Sequence, residues 1–449
     1  MKRGHLLSAA LVAASLLLVL FFHQGHSDNP MSRALTVASI VERHSMAWDD
    51  DWADATEDKA IIGEHVYGDK APLSSLVVVP FYWLHTRLFG RGDKTPVVLI
   101  VHMGDVIAAA VPFALFVLLL FRRAKEGTTT LKAVWIALLA AFSTSLFNYS
   151  NMYFGHMLGG ILFLGSYVLA VRNSRLVLAG FIGGASVLAE YPLALLQAGI
   201  ALYLVLGPEP RRRTIRYLAG AAVPALAMLA LNASVTGKPF DFPYSHVSDT
   251  FAPMKTAFGI RLPYLNAMWE LLFGQFRGLL FFGPSFFVLI PLMVRNFDGD
   301  RRRRALAIGL CASLVLLISS YFKWNGGSCV GPRHLTPIMM LIIYEGVGAL
   351  AITPRATIWF GVLAIIGVTL NLEIAATIPT PDEHAMHPLF EVIWPALARN
   401  GINRHNFATE LGVAPGRYLL AVWVALFALL ASGLSILARR ADRKTLDGI

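Results

Sequence analysis

Directly after the first hydrophobic run the sequence reads Ser27-Asp28-Asn29-Pro30. A carboxylate there sits at headgroup depth, where it could take a proton from an attacking hydroxyl. Asp28 could equally serve as an N-cap for a helix that Pro30 helps to start. Further on, Tyr67-Gly68-Asp69-Lys70-Ala71-Pro72-Leu73 places a lysine in a turn bounded by Gly and Pro, before an apolar segment. An ammonium in that place can hold a phosphate; paired with Asp69 or with anionic headgroups it is an ordinary surface lysine. His156, in Phe154-Gly155-His156, and Glu190, in Glu190-Tyr191-Pro192, could position hydroxyl groups of a substrate or bond neighbouring helices. His102 and Asp105 share one helix face and either line an outward cavity or satisfy each other, the second being preferred. Asp49, Asp50 and Asp51, with Asp54 and Asp58, raise a divalent-metal site. Consecutive aspartates diverge, however, so a solvated acidic loop is preferred and no cofactor is expected.

The elements that must position these groups follow from composition. The chain has 449 residues, 56% hydrophobic and only 15% charged, with a mean hydropathy of +0.59. Soluble domains carry about a quarter charged residues, so a globule of this chain would lack polar coating and its apolar surface must face lipid. That excludes a water-soluble protein. The net charge of +10 is explained by placement, because arginine clusters at 122–123, 172–175, 211–216, 301–304 and 439–443 fall in every second connector. No nucleic-acid module is present, so the bilayer and not a nucleic acid is the expected partner of these charges. With Cys311 in an apolar run and Cys329 in a polar connector, no disulfide is expected between them.

A spanning helix needs ~20 apolar residues. About twelve such runs, some short or interrupted, begin near Leu6, Thr95, Leu131, Gly155, Leu176, Pro192, Tyr217, Gly278, Ala305, Leu335, Ile358 and Tyr418. The expected fold class is an all-α polytopic membrane protein, one integral unit over residues 1–449, with the first run kept as an anchor. The basic connectors place both termini in the cytoplasm and turn the loops 23–94, 232–277, 323–334 and 379–417 outward. Within the long first loop, residues 31–46 gather Leu35, Ala38, Ile40 and Val41 at helical spacing and set Arg33, Glu42 and Arg43 elsewhere, an interfacial helix. Residues 73–89, interrupted by Pro80 and His85, form a second one. A thirteenth crossing there would reverse every later arginine cluster.

The loop from Asp28 to Pro72 resembles the first outer loop of the GT-C superfamily of polyprenyl-phosphate-sugar glycosyltransferases, most of all the bacterial protein mannosyltransferase and lipid A aminoarabinose transferase branch. Phe154-Gly155-His156, Glu190-Tyr191-Pro192, Gly274-Gln275-Phe276-Arg277-Gly278-Leu279, and Trp324-Asn325-Gly326-Gly327 with Gly331-Pro332-Arg333-His334 are similar to later segments of that family. The last is the most specific. Ala71 and Leu73 depart from the family's Pro and Gly. The resemblance implies a GT-C fold, with Asp28 as catalytic carboxylate and Lys70 on the donor phosphate in a turn that includes Tyr67. Read with it, Arg333 and Arg277 become further phosphate ligands, and Trp324 an aromatic face for the sugar. Without it, both arginines simply mark span boundaries. The implied reaction moves a sugar from a polyprenyl-phosphate donor to a hydroxyl of a lipid, glycan or protein acceptor at the outer face of the cytoplasmic membrane, with inversion. The alternative is a multi-span transporter or flippase of lipid-linked sugars, in which Asp105 and Glu345 would be relay carboxylates.

Overall fold

The structure, a computed structural model, describes residues 2–23, 27–49, 52–90, 94–295, 300–399, 401, 403, 406–412 and 418–446. Helices follow the apolar runs because a backbone in lipid must satisfy its own hydrogen bonds. Among the described residues four are long and apolar enough to cross a membrane: Val97–Lys125, Pro210–Thr236, Pro354–Ala375 and Leu419–Arg443. Shorter apolar helices accompany them, among them Thr130–Phe142, His156–Val171, Leu176–Ala189 and Leu193–Val205. The chain is thus a helical, polytopic membrane protein. Those shorter helices fall below the ~20 residues of a full crossing, so length alone does not reach the expected twelve.

Small residues set how closely the helices approach. Leu176–Ala189 and Pro210–Thr236 cross where Gly180 faces the Tyr217 carbonyl and Gly220 faces that of Val177; a Cβ on either glycine would run into backbone. Gly155 likewise lets its chain meet Ala189 and the Glu190 carboxylate, which seats His156 at the start of its helix.

The first loop departs from the all-helical expectation. Strands Lys59–Ile62 and His65–Gly68 form an antiparallel hairpin that turns at Gly63, with φ +63°. Asp49 closes it, its carboxylate accepting from the Val66 amide at 2.7 Å and meeting His65 Nδ1 at 2.7 Å. Those partners, and burial, which works the other way, leave the Asp49 carboxyl below its ordinary range. Asp50 and Asp51, the rest of the triple carboxylate, lie outside the described residues. Lys59 pairs with Gly68 across the strands, so the hairpin sets Asp58, just before it, beside Asp69 and Lys70, just after it.

The two stretches expected to be interfacial are helical, as Asp28–Glu42 and, after the short turn Leu73–Leu76, Val79–Phe89. Eleven residues in the last of these span about 16 Å, too short for a crossing, and Phe81, Trp83, Leu84, Leu88 and Phe89 are exposed along it. Asp28–Glu42 lies deeper. Ala34, Val37, Ala38 and Val41 pack with Val78, Tyr82, Ile100, Val101 and Tyr153. Arg33, expected away from the apolar face, is buried as well, because it has an acidic partner from a distant stretch.

Candidate functional site

Asp28 occupies the first turn of Asp28–Glu42, but it does not cap it: the N-cap is Ser27, which makes no side-chain cap bond. The exposed Asp28 carboxylate instead accepts the Thr56 hydroxyl at 2.8 Å. Thr56 Oγ1 in turn accepts the Asp58 amide at 3.2 Å, and Asp58 Oδ2 lies 3.1 Å from Lys70 Nζ. One residue of hairpin lead-in therefore ties the candidate base to the candidate phosphate ligand. Asp69, fully buried, takes a second side of the ammonium at 2.8 Å. Burial alone would lower the Lys70 value; Asp58 and Asp69 outweigh it, so the value is raised and the ammonium stays charged. Burial raises Asp69, against the pull of Lys70.

Arg33 joins this group to the later loops. Its guanidinium donates to Asn29 Oδ1 at 3.0 Å, to the Ala71 carbonyl at 3.3 Å and to Glu190 Oε1 at 3.5 Å. The second of these bonds fixes the turn that carries Lys70. Glu190 Oε1 also lies 3.3 Å from His156 Nδ1, and the His156 ring meets that of His334 edge-on at 5.4 Å. Burial raises the Glu190 carboxyl, with Arg33, Arg333 and Lys70 opposing. Burial and the neighbouring Arg333 push His334 down to about 3, so its imidazole is neutral at physiological pH. Arg333 stacks its guanidinium 4.9 Å from the Phe154 ring centre and keeps a buried Nε without a hydrogen bond among the described residues. Glycines make that placement possible: Gly326, Gly327 and Gly331 take φ of +75°, +67° and +79°, and Gly326 abuts the Arg333 side chain.

Arg277 is placed differently. Fully buried, it donates to the carbonyls of Asn325 at 2.6 Å, Phe276 at 2.9 Å and Gly327 at 2.8 Å. Its fork holds the loop that presents Arg333. Trp324 sits half-buried on this loop with its ring edge-on to Phe276 at 6.0 Å. Tyr67, Arg33, Lys70, Thr36, Tyr191 and Asn232 line a cleft of about 30 Å³. That holds a water or two, so a sugar phosphate requires the cleft to widen.

Among solved structures the chain is similar to ArnT from Cupriavidus metallidurans in the apo state, at 12% identity over 97% of this chain and 75% of that one, with a TM-score of 0.55. It is similar to the same protein bound to undecaprenyl phosphate, at 13% identity, the same coverages and a TM-score of 0.54. The chain has the ArnT fold. At that identity the likeness speaks for the fold alone, and it agrees with the fold that the resemblance of the loop motifs implies. No family model and no curated protein matches the sequence.

The ArnT-like fold brings together Asp28, Tyr67, Lys70, His156, Glu190 and Arg333 from five separated stretches. It keeps His102 and Asp105 apart from them as a pair of their own, 3.5 Å between Nδ1 and Oδ2, with His102 against the His23 ring and Asp105 opening a π-helical turn Asp105–Ala110. Sequence reasoning missed Arg33 and Thr56 and gave Asp58 no partner. For Arg33 the only signal was a cation one helical turn after Asn29.

Proposed function

We propose that this chain is a membrane glycosyltransferase that moves a sugar from a polyprenyl-phosphate donor to an acceptor hydroxyl, outside the cytoplasmic membrane. About twelve spans and two cytoplasmic termini fit the arginine pattern. The observation that carries the proposal is the convergence of Lys70, Arg33 and Arg333, from stretches far apart in sequence, around buried acids that two hydrogen bonds through Thr56 join to an exposed carboxylate.

In the proposed step the acceptor oxygen attacks the anomeric carbon while the carbon–oxygen bond to the phosphate breaks. The polyprenyl phosphate leaves with the bonding electrons, and Asp28 takes the acceptor's proton. Attack opposite the leaving group inverts the anomeric centre. An ammonium has three donors; Asp58 and Asp69 fix two and the third is left for a phosphate oxygen. Arg333, with its Nε unengaged, is suited to a second oxygen, and preorganised cations favour the developing dianion. Arg277 acts by positioning that loop. His156 and Glu190, with Tyr67 and Trp324, are assigned to the sugar or acceptor side.

The test is to incubate purified protein with a radiolabelled set of polyprenyl-phosphate sugars and a membrane extract. Label passing to a lipid, glycan or protein supports the proposal. Label that crosses a vesicle bilayer but reaches no acceptor identifies a flippase instead.

A further inference from the structure

At the other end of the bundle lies a second and larger cavity, of about 300 Å³, lined by Arg123, Arg303 and Arg304 and walled by Leu292, Met293 and Ile352. Helix Thr336–Leu350 starts beside Arg333 and ends at this cavity with Glu345, Gly348 and Ala349. Its 15 residues put about 22 Å between the two sites. The end concerned is the one that carries the arginine clusters.

Charge is unequally matched there. Arg303 grips Glu345, Nη2 to Oε2 at 2.8 Å and Nε to Oε1 at 3.1 Å, and the Tyr167 hydroxyl donates to the same carboxylate at 2.8 Å. Glu126 accepts from Arg123 at 2.5 Å and Arg172 at 2.6 Å. Among the described residues, the cavity lining and its direct ion-pair partners thus set two carboxylates against four guanidiniums. Arg304 is the one left over: it donates to the Arg295 carbonyl at 3.2 Å, and among the described residues no carboxylate lies within 4.0 Å of it. An excess guanidinium beside an apolar wall, at the membrane end of a helix bundle, fits a ligand that is anionic at one end and hydrocarbon at the other.

We propose that this cavity binds the phosphate headgroup of an anionic phospholipid from the leaflet at the arginine-rich face. Arg304 and Arg123 hold the phosphate oxygens, and Leu292, Met293 and Ile352 receive the first acyl methylenes. A free phosphate would leave that wall unused. The site is independent of the transfer chemistry proposed above.

The experiment uses delipidated full-length protein in detergent and native mass spectrometry with phosphatidylglycerol, phosphatidylcholine and inorganic phosphate as probes. Phosphatidylglycerol should bind about tenfold more tightly than phosphatidylcholine, and inorganic phosphate should not displace it. Arg304→Gln should weaken phosphatidylglycerol about fivefold. Arg302→Gln, which removes the same charge from outside the cavity, should change it less than about twofold. Ile352→Trp, which fills the cavity and alters no charge, should weaken it as Arg304→Gln does. Equal loss in Arg304→Gln and Arg302→Gln, no preference between the lipids, or displacement by inorganic phosphate overturns the proposal.

Discussion

Replacing Arg33 by Met removes the one cation among the described residues that bonds both the Lys70 turn and Glu190. Arg33 is 2% exposed and Glu190 19%, so the change strands a largely buried carboxylate. Breaking a buried pair from one side costs about 3–5 kcal/mol. Here the separation is 3.5 Å and His156 shares the same oxygen, which places the loss just below that range, at about 2–3 kcal/mol. Glu190→Leu strands Arg33 less severely, because Asn29 and the Ala71 carbonyl still accept from it; about 1–2 kcal/mol is expected. The double variant removes both charges, and with apolar replacements its loss should be about 1–2 kcal/mol, well below the sum of the singles. With the half-buried Cys311 replaced by Ala in every variant, unfolding in graded SDS can be followed with a thiol-reactive dye, since the remaining thiol, Cys329, is fully buried. A coupling of about 2 kcal/mol is predicted. Arg33→Met as stable as the parent, or singles that simply add, would show that the pair does not organise the site.

Three further outcomes follow from the same contacts. Because burial raises Glu190, its folded form keeps the proton longer than the unfolded chain does, so its contribution falls as pH rises above the ordinary glutamate value of about 4.3. Glu190→Gln should therefore gain stability relative to the parent between pH 4.5 and pH 8, read by thermal unfolding with the same dye; a relative loss across that range contradicts the assignment. Gly180→Ala and Gly220→Ala should each cost about 1–3 kcal/mol, whereas Gly433→Ala, which meets nothing within 4 Å, serves as the neutral control in the same titration. Arg277→Ala unseats three carbonyls and should speed hydrogen exchange across 323–334 while leaving exchange in 59–68 unchanged; unchanged exchange in both segments refutes its positioning role.

Much of the fold was legible because lipid imposes a simple rule. Apolar runs must be helical, and Gly and Pro at 68, 72, 326, 327 and 331 mark the turns that carry polar groups. The hairpin was missed because two four-residue strands leave too little alternation to stand out in a loop rich in acids. Arg33 was misplaced for a deeper reason: helical periodicity ranks residues by polarity, and a buried arginine is tolerable only through a partner 157 positions away, which periodicity does not see. Arg277 shows the converse. Its sequence context suits a phosphate ligand, yet each of its three guanidinium nitrogens donates to a carbonyl of its own fold, and only the placement of Asn325 and Gly327 reveals that.

In the proposed transfer chemistry Asp28 is the base, and Asp28→Asn keeps its shape and an oxygen for the Thr56 hydroxyl. The decisive measurement is single-turnover transfer from a radiolabelled polyprenyl-phosphate sugar, with donor affinity determined on the same preparation. Loss of the base predicts donor binding within about twofold of the parent and transfer slowed about a hundredfold or more. Transfer at the parental rate by Asp28→Asn would contradict it.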